Sequence, residues 1–182
     1  MAINVQQKKA TFAGGCFWCL QPPYDQIKGV LSTTVGYTGG QKNNPNYEEV
    51  CAGWTGHLEA IEIVFDPSQI TYEKLVEIFW KNIDPIDALG QFCDKGEQYK
   101  SALFYHDEEQ KQQAEKSKRE LESSGKLKQQ IVTEIRAAAI FYPAEDYHQE
   151  YYKKNPIRYK FYRFNCGRDQ RLEKIWGISS KH

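Results

Sequence analysis

The sequence predicts an α+β fold of two layers, helices lying against a sheet, and three observations lead to it. Residues 8–13, 30–37, 58–65 and 101–105 are short stretches rich in β-branched or apolar residues, as half-buried and fully buried strands require. Between them the spacing turns helical, most clearly at Leu75, Val76, Ile78 and Phe79,. At 182 residues, with no internal repeat and no low-complexity linker, the chain suits one domain with a core of its own. Mixed strands and helices of this kind give a two-layer α+β domain over residues 1–182, of which about 157–182 form a C-terminal tail.

Each element follows from local chemistry. Lys8 to Ala13 reads as a strand, Gly14-Gly15 as a tight turn, and a helix opens at or just after Cys16 and reaches about Ile27,. Pro22-Pro23 falls inside that helix, so a kink or a restart with proline in the first turn is expected. Gly29 ends it. Val30 to Tyr37 is the second strand, 38–46 a Gly/Asn/Pro loop, and Tyr47 to Cys51 a short helix,. Leu58 to Phe65 is a third, mostly buried strand, in which neighbouring residues take opposite faces,. Ser68 or Thr71 caps the helix that follows. Residues 83–98 read as a long irregular stretch and Ser101 to Tyr105 as a fourth strand. Glu108 to Leu121 is a charged surface helix that Gly125 stops,. Thr133 to Ala137 reads as one more strand and Ala144 to Lys154 as a short helix. The tail is irregular apart from a helix running to Gly177.

Composition excludes several function classes. Lysine and arginine number 24 and so do aspartate and glutamate, so neither nucleic acid nor an anionic membrane surface is expected as a partner. No apolar run is long enough to span a bilayer, and residues 1–9 lack a secretory apolar segment,. Five cysteines, an odd number in a chain of this length, argue against a disulfide framework and for free thiols in a reducing cytoplasm.

The chemistry centres on Gly15-Cys16-Phe17-Trp18-Cys19. A thiol at a helix start sits among unpaired N–H groups at the positive end of the dipole, which is expected to lower its pKa. Phe17 and Trp18 supply aromatic surface suited to an apolar group. Neighbours on a helix do not share a face, so at most one of the two can point fully inward.

Gly15-Cys16-Phe17-Trp18 resembles the signature of the A-type peptide methionine sulfoxide reductases. Five further blocks stand in that family's order: Gly36 to Gly40, Asn46 to Cys51, Thr55 to Glu59, Asp94 to Tyr99 and Ala144 to Gln149. Together they cover roughly residues 8 to 156. The resemblance implies a ferredoxin-like core wrapped by long loops, and reduction of methionine S-sulfoxide, free or in proteins. It makes Cys16 the nucleophile and Glu59 the acid, with Tyr47 and Tyr99 hydrogen-bonding the sulfoxide oxygen. Phe17 and Trp18 line the methyl pocket. Asp94 engages the backbone amide beside the substrate side chain, and His148 and Tyr151, at i and i+3 and hence on one helix face, stand beside the pocket. Taken bare, most of these are ordinary packing or loop residues; besides Cys16 at its helix start, only Glu59 carries an independent chemical argument. Protonating a sulfoxide oxygen needs an acid, and a carboxyl stays protonated near neutral pH only when buried.

The product of such a reaction is a sulfenic acid on Cys16, which a second thiol condenses to a disulfide and thioredoxin or a similar dithiol reduces. No bound metal or organic cofactor is required, and a monomer is expected. Cys166 is the expected resolving thiol, with Cys19 the alternative. A bond from Cys16 to Cys19 would distort the turn that holds Phe17 and Trp18, whereas Cys166 lies between Asn165 and Gly167 in the tail. A relay of two cysteines within the tail is excluded. Cys51 and Cys93 read as inert thiols. Gln21 and Lys100 replace residues common in the family. Two other readings compete: a general dithiol oxidoreductase built on Cys16 and Cys19, and a zinc module using Cys16, Cys19, Cys51 and His57.

Overall fold

The structure, a computed structural model, describes residues 6–177. Strand β1 (Lys8–Gly14) is followed by two one-turn helices, α1 (Phe17–Leu20) and α2 (Pro22–Asp25). The expected long helix is thus broken at Gln21, and Pro22 opens the second piece, where its missing N–H costs nothing,. Strand β2 (Val30–Thr38), helix α3 (Tyr47–Cys51) and strand β3 (Leu58–Phe65) follow. Asn46 caps α3: its side chain accepts from the Glu49 N–H, and the Glu49 carboxylate reaches back to the Asn46 N–H,. Helix α4 (Tyr72–Lys81) is capped by Thr71, so of the two candidates Thr71 does the work.

The stretch expected to be irregular holds a two-residue hairpin, β4 (Gly90–Gln91) with β5 (Asp94–Lys95), and a 3-10 turn over Glu97–Tyr99. The buried Gln91 side chain fixes it: Oε1 accepts from the Asp84 N–H and Nε2 donates to the Asp84 carbonyl. Strand β6 (Ser101–Tyr105), helix α5 (Glu108–Ser123) and strands β7 (Glu134–Ala137) and β8 (Phe141–Pro143) come next.

The sheet order is β7-β6-β1-β3-β2-β8. Its middle, β6-β1-β3-β2, is antiparallel throughout and has the ferredoxin-like β-α-β-β-α-β order, α1–α2 and α4 supplying the two crossovers. Strand β7 extends one edge in parallel with β6, and β8 extends the other beside β2. The main core forms where Phe12, Ile61, Ile63, Phe65 and Leu103 meet Leu75, Val76 and Phe79 of α4, with Leu20 and Tyr24 closing one end. A smaller cluster around Ala13, Ala60, Ala102 and Phe104 fills the opposite face.

The C-terminal region departs most from expectation. Ala144 to Lys154 is a 3-10 turn (Asp146–His148) and a one-turn helix α6 (Tyr151–Lys154), separated by Glu150 at φ 51°. The tail is two successive helices, α7 (Pro156–Asn165) and α8 (Arg168–Trp176), where an irregular arm had been expected ahead of the last helix. Tail positions beyond Gly177 lie outside the described residues. The arm is ordered because polar contacts hold it: Arg163 clamps Asp169 at 2.6–3.1 Å, and the buried Arg168 donates from Nη2 to the carbonyls of Gly14 and Asn82 at 3.1 and 2.9 Å.

Candidate active site

Cys16 is the residue just before α1, at the carboxyl end of β1. The turn that places it requires glycine at position 15, where φ is +81° and an added Cβ would come within 2.5 Å of the Gln91 Cβ,. Cys16 is 7% exposed and Cys19 1%. Burial, reinforced by the hydrogen bond to Cys19, pushes the Cys16 thiol well above its ordinary value,. The expected lowering of its pKa is therefore not what the fold produces. A single helical turn carries little dipole, and desolvation outweighs it. The charge settles instead on Cys19, lowered to about 6 by the Cys16 hydrogen bond and by the guanidiniums of Arg168 and Arg163.

Glu59 lies on the helix-facing side of β3, as do Ile61 and Ile63, and is 1% exposed. The Phe17 backbone N–H donates to its Oε2 at 3.0 Å. Burial nevertheless raises its pKa to about 8, so the carboxyl is protonated at neutral pH. Glu62, on the other face, pairs with Lys9 at 3.0 Å. Tyr47 and Tyr99 both approach the Cys51 sulfur, and burial and the nearby Glu59 charge raise both phenols. The structure thus brings Cys16, Glu59, Tyr47 and Tyr99 together. It adds Cys51, expected to be inert, between the two tyrosines.

Phe17 is buried and Trp18 half-buried, the division expected of neighbours on a helix. Trp18 stacks on Tyr151 with centroids 3.8 Å apart and planes 6° from parallel. Its indole N–H donates to His148 Nδ1 at 2.9 Å. His148 and Tyr151 do not share a helix face, because Glu150 breaks the segment between them; they reach Trp18 from separate elements. The His148 ring also meets Phe17, Tyr47 and Tyr147 at centroid distances of 5.0, 4.5 and 4.1 Å. Burial lowers its pKa to about 4 against the opposing pull of Glu145, so the ring is neutral and Nδ1 can accept the indole hydrogen bond.

Several organising residues carry no signal in a single sequence. Glu145 accepts from the Tyr47 N–H at 3.0 Å and the Tyr37 hydroxyl at 3.1 Å. Gln149 bonds both the N–H and the carbonyl of Val35. Gln21, the departure from the family pattern, is buried and accepts from the Glu150 N–H at 2.8 Å, supporting the left-handed turn before Tyr151. Lys100 only pairs with Glu97 at the surface.

Tyr162 of α7 closes the site. Its hydroxyl donates to Asp94 and also stands within reach of the Cys16 sulfur, and its ring meets Trp18 edge-on. Asp94 is thus at the site, and its pKa is raised by burial against the Tyr162 hydrogen bond and the Arg168 charge. Cys166 lies 4.0 Å from the Tyr162 hydroxyl oxygen and 3.9 Å from Asp94 Oδ2. It is bonded to Cys93, so two of the five cysteines are paired where all were expected free; Cys16, Cys19 and Cys51 are thiols.

The competing readings fail on geometry. His57 spends both ring nitrogens on backbone, Nδ1 accepting from the Gly40 N–H at 3.0 Å and Nε2 bonding the Lys42 carbonyl at 2.7 Å. It is not available to a metal. Cys16 and Cys19 are too deeply buried to exchange directly with a protein disulfide,.

Comparison with known proteins shows the family. A family model described as peptide methionine sulfoxide reductase matches residues 8–180. The chain is 52% identical over 172 residues to a peptide methionine sulfoxide reductase MsrA of Bacillus licheniformis, spanning 94% of this chain and 95% of that one. It is 55% identical over 174 residues to the Bacillus velezensis protein of the same name, spanning 96% and 98%. Among solved structures, the reduced form of Mxr1 from Saccharomyces cerevisiae superposes with a TM-score of 0.79 at 32% identity, covering 85% of this chain and 88% of that one. Methionine sulfoxide reductase A of Corynebacterium diphtheriae gives 0.73 at 34% identity, covering 83% and 76%. Matched along nearly its whole length, the chain belongs to the peptide methionine sulfoxide reductase family.

Proposed function

We propose that this chain reduces methionine S-sulfoxide, free or in proteins, to methionine, and that residues 1–182 act as one monomeric catalytic unit in the cytoplasm. One observation carries the reading most: a buried thiol, Cys16, stands beside a carboxylic acid, Glu59, that is still protonated at pH 7, against a wall of aromatic rings. The substrate methyl group packs on Phe17 and Trp18, while His148 and Tyr151 hold the Trp18 ring. Asp94 receives the substrate's backbone amide once the Tyr162 hydroxyl gives way.

In the resting pair burial keeps the Cys16 thiol protonated and the charge lies on Cys19, so the Cys16 proton is released only as its sulfur attacks, and it replaces the one that Glu59 gives to the oxygen. The Cys16 sulfur attacks the sulfoxide sulfur, and Glu59, with Tyr47 and Tyr99, protonates the oxygen. The hydroxyl passes from the substrate sulfur to the Cys16 sulfur as the transient S–S bond between them breaks, so methionine leaves and Cys16 is left as a sulfenic acid. Cys166 resolves that acid with loss of water, and an external dithiol such as thioredoxin returns the enzyme to its reduced form. Thiol chemistry supplies both electrons, so the reaction needs no metal or organic cofactor. No helix among the described residues is long and apolar enough to cross a membrane.

The test is turnover of the separated S and R epimers of a blocked methionine sulfoxide with dithiothreitol. Reduction of the S epimer alone is expected; reduction of neither would sink the reading.

A further inference from the structure

A buried sulfenic acid poses a problem of access. Cys16 is 7% exposed and lies beside the Tyr162 hydroxyl, so its sulfur is poorly placed for exchange with a protein dithiol. The oxidation has to be moved to the surface. Cys93, in the β4–β5 turn next to Asp94, is exposed, and its bond to Cys166 joins that turn to the end of α7. The Cys93 N–H also donates to the Cys166 sulfur at 3.2 Å. Cys166 in turn is one hydroxyl group away from Cys16, through Tyr162. It stands just ahead of Gly167, the N-cap of α8.

We propose that Cys93 is the second resolving thiol, and that the Cys93–Cys166 disulfide is the form the external reductant attacks. This rests on the reductase reading above. First the Cys166 thiol condenses with Cys16–SOH, forming a Cys16–Cys166 disulfide and releasing water. The Cys93 thiolate then attacks the Cys166 sulfur, forming Cys93–Cys166 and expelling Cys16 as a thiolate that takes up a proton. Two thiols have then given the two electrons that the sulfoxide consumed. Cys16 is a thiol again before any reductant arrives. The second thiol thus comes from the loop that carries Asp94 and not from the tail.

The test uses the full chain, reduced and freed of dithiol, then given one equivalent of methionine S-sulfoxide. Released methionine is measured first, because no release would count against the reductase reading and not against Cys93. Thiols are then alkylated and the linked peptides mapped. Wild type is expected to show a Cys93–Cys166 link with Cys16 alkylated. Cys93→Ser is expected to stop at a Cys16–Cys166 link with Cys16 protected, and its turnover with thioredoxin to fall about tenfold or more. Methionine release with wild type left at Cys16–Cys166 or Cys16–Cys19 would overturn the proposal, as would undiminished thioredoxin turnover of Cys93→Ser. Cys93→Ala repeats the measurement should the serine variant fold poorly.

Discussion

The backbone N–H of Phe17 donates to Glu59 Oε2 at 3.0 Å, tying the residue beside the nucleophile to the acid 42 positions away. That bond favours the carboxylate, yet burial prevails and the pKa is about 8. The N–H fixes where the carboxyl points, and the apolar surroundings keep its proton on.

Glu59→Gln keeps the shape of the side chain and removes the acid. Turnover should fall about a hundredfold or more, measured as methionine released under dithiothreitol, with the circular dichroism spectrum unchanged. A variant as fast as wild type would move the proton source to Tyr47 or Tyr99.

The same residue sets a pH dependence. Its folded pKa lies above the ordinary 4.5, so its contribution to stability is complete below about 4.5 and lost as pH rises through about 8. Wild type should lose melting temperature relative to Glu59→Gln between pH 5 and 9, and its reductive step should slow on the alkaline side of 8. Parallel melting profiles for the two proteins would contradict the assignment.

Cys16→Ser should abolish turnover with any reductant while leaving the fold intact, because a hydroxyl is not ionised near neutral pH. Titration of wild-type thiols by ultraviolet thiolate absorbance should find a low value, near 6, that is lost in Cys19→Ser,. In Arg168→Met that value should rise, and the melting temperature should drop with the lost bonds to Gly14 and Asn82,. An unmoved thiol titration would remove Arg168 from the charge balance of the pair.

Tyr151→Leu removes the face on which Trp18 is stacked. Such pairs contribute about 0.5–1.5 kcal/mol beyond buried area, so KM for the sulfoxide should rise roughly two- to tenfold with kcat little changed. A pure kcat loss would show that the stack orders the reacting atoms and not the pocket wall.

Asp94→Ala should weaken binding of peptide substrates more than it slows chemistry, read as a KM increase greater for a peptide sulfoxide than for the free amino acid. Equal effects on both would deny it a backbone-amide role.

Much of this was legible in the sequence. Strands such as Leu58–Phe65 and the restart at Pro22 follow from side-chain periodicity and proline chemistry, which act within a few residues. The ordered motifs singled out Cys16, Glu59, Tyr47, Tyr99 and Asp94, and the fold brings all five near one another. What stayed hidden depends on distant partners. Nothing local to Cys16 shows that burial will keep its proton on, or that the distant Arg163 and Arg168 will favour charge on Cys19, so the dipole argument gave the wrong direction. Tyr162 looks like one aromatic among 12 tyrosines until α7 lays it over Cys16. Helix α7 itself, with Ile157, Phe161 and Phe164 all exposed, has no clear amphipathic pattern; Arg163 and Tyr162 hold it down. The Cys93–Cys166 pair spans 73 positions, and no spacing rule would have joined them.

The guanidinium of Arg168 binds the carbonyl of Gly14 across 154 positions of chain. A polypeptide leaving the ribosome therefore completes the nucleophile's own turn only when its final helix has emerged. Until then the sheet can form, since β1, β3, β2 and β6 all precede residue 106, but Cys16 has no cover. The nascent enzyme passes through a window in which its most important sulfur is open to any electrophile in the cell. Chains stalled before Pro156 should be alkylated at Cys16 faster than finished ones, and equal rates would show that the cover is not supplied by α7 and α8.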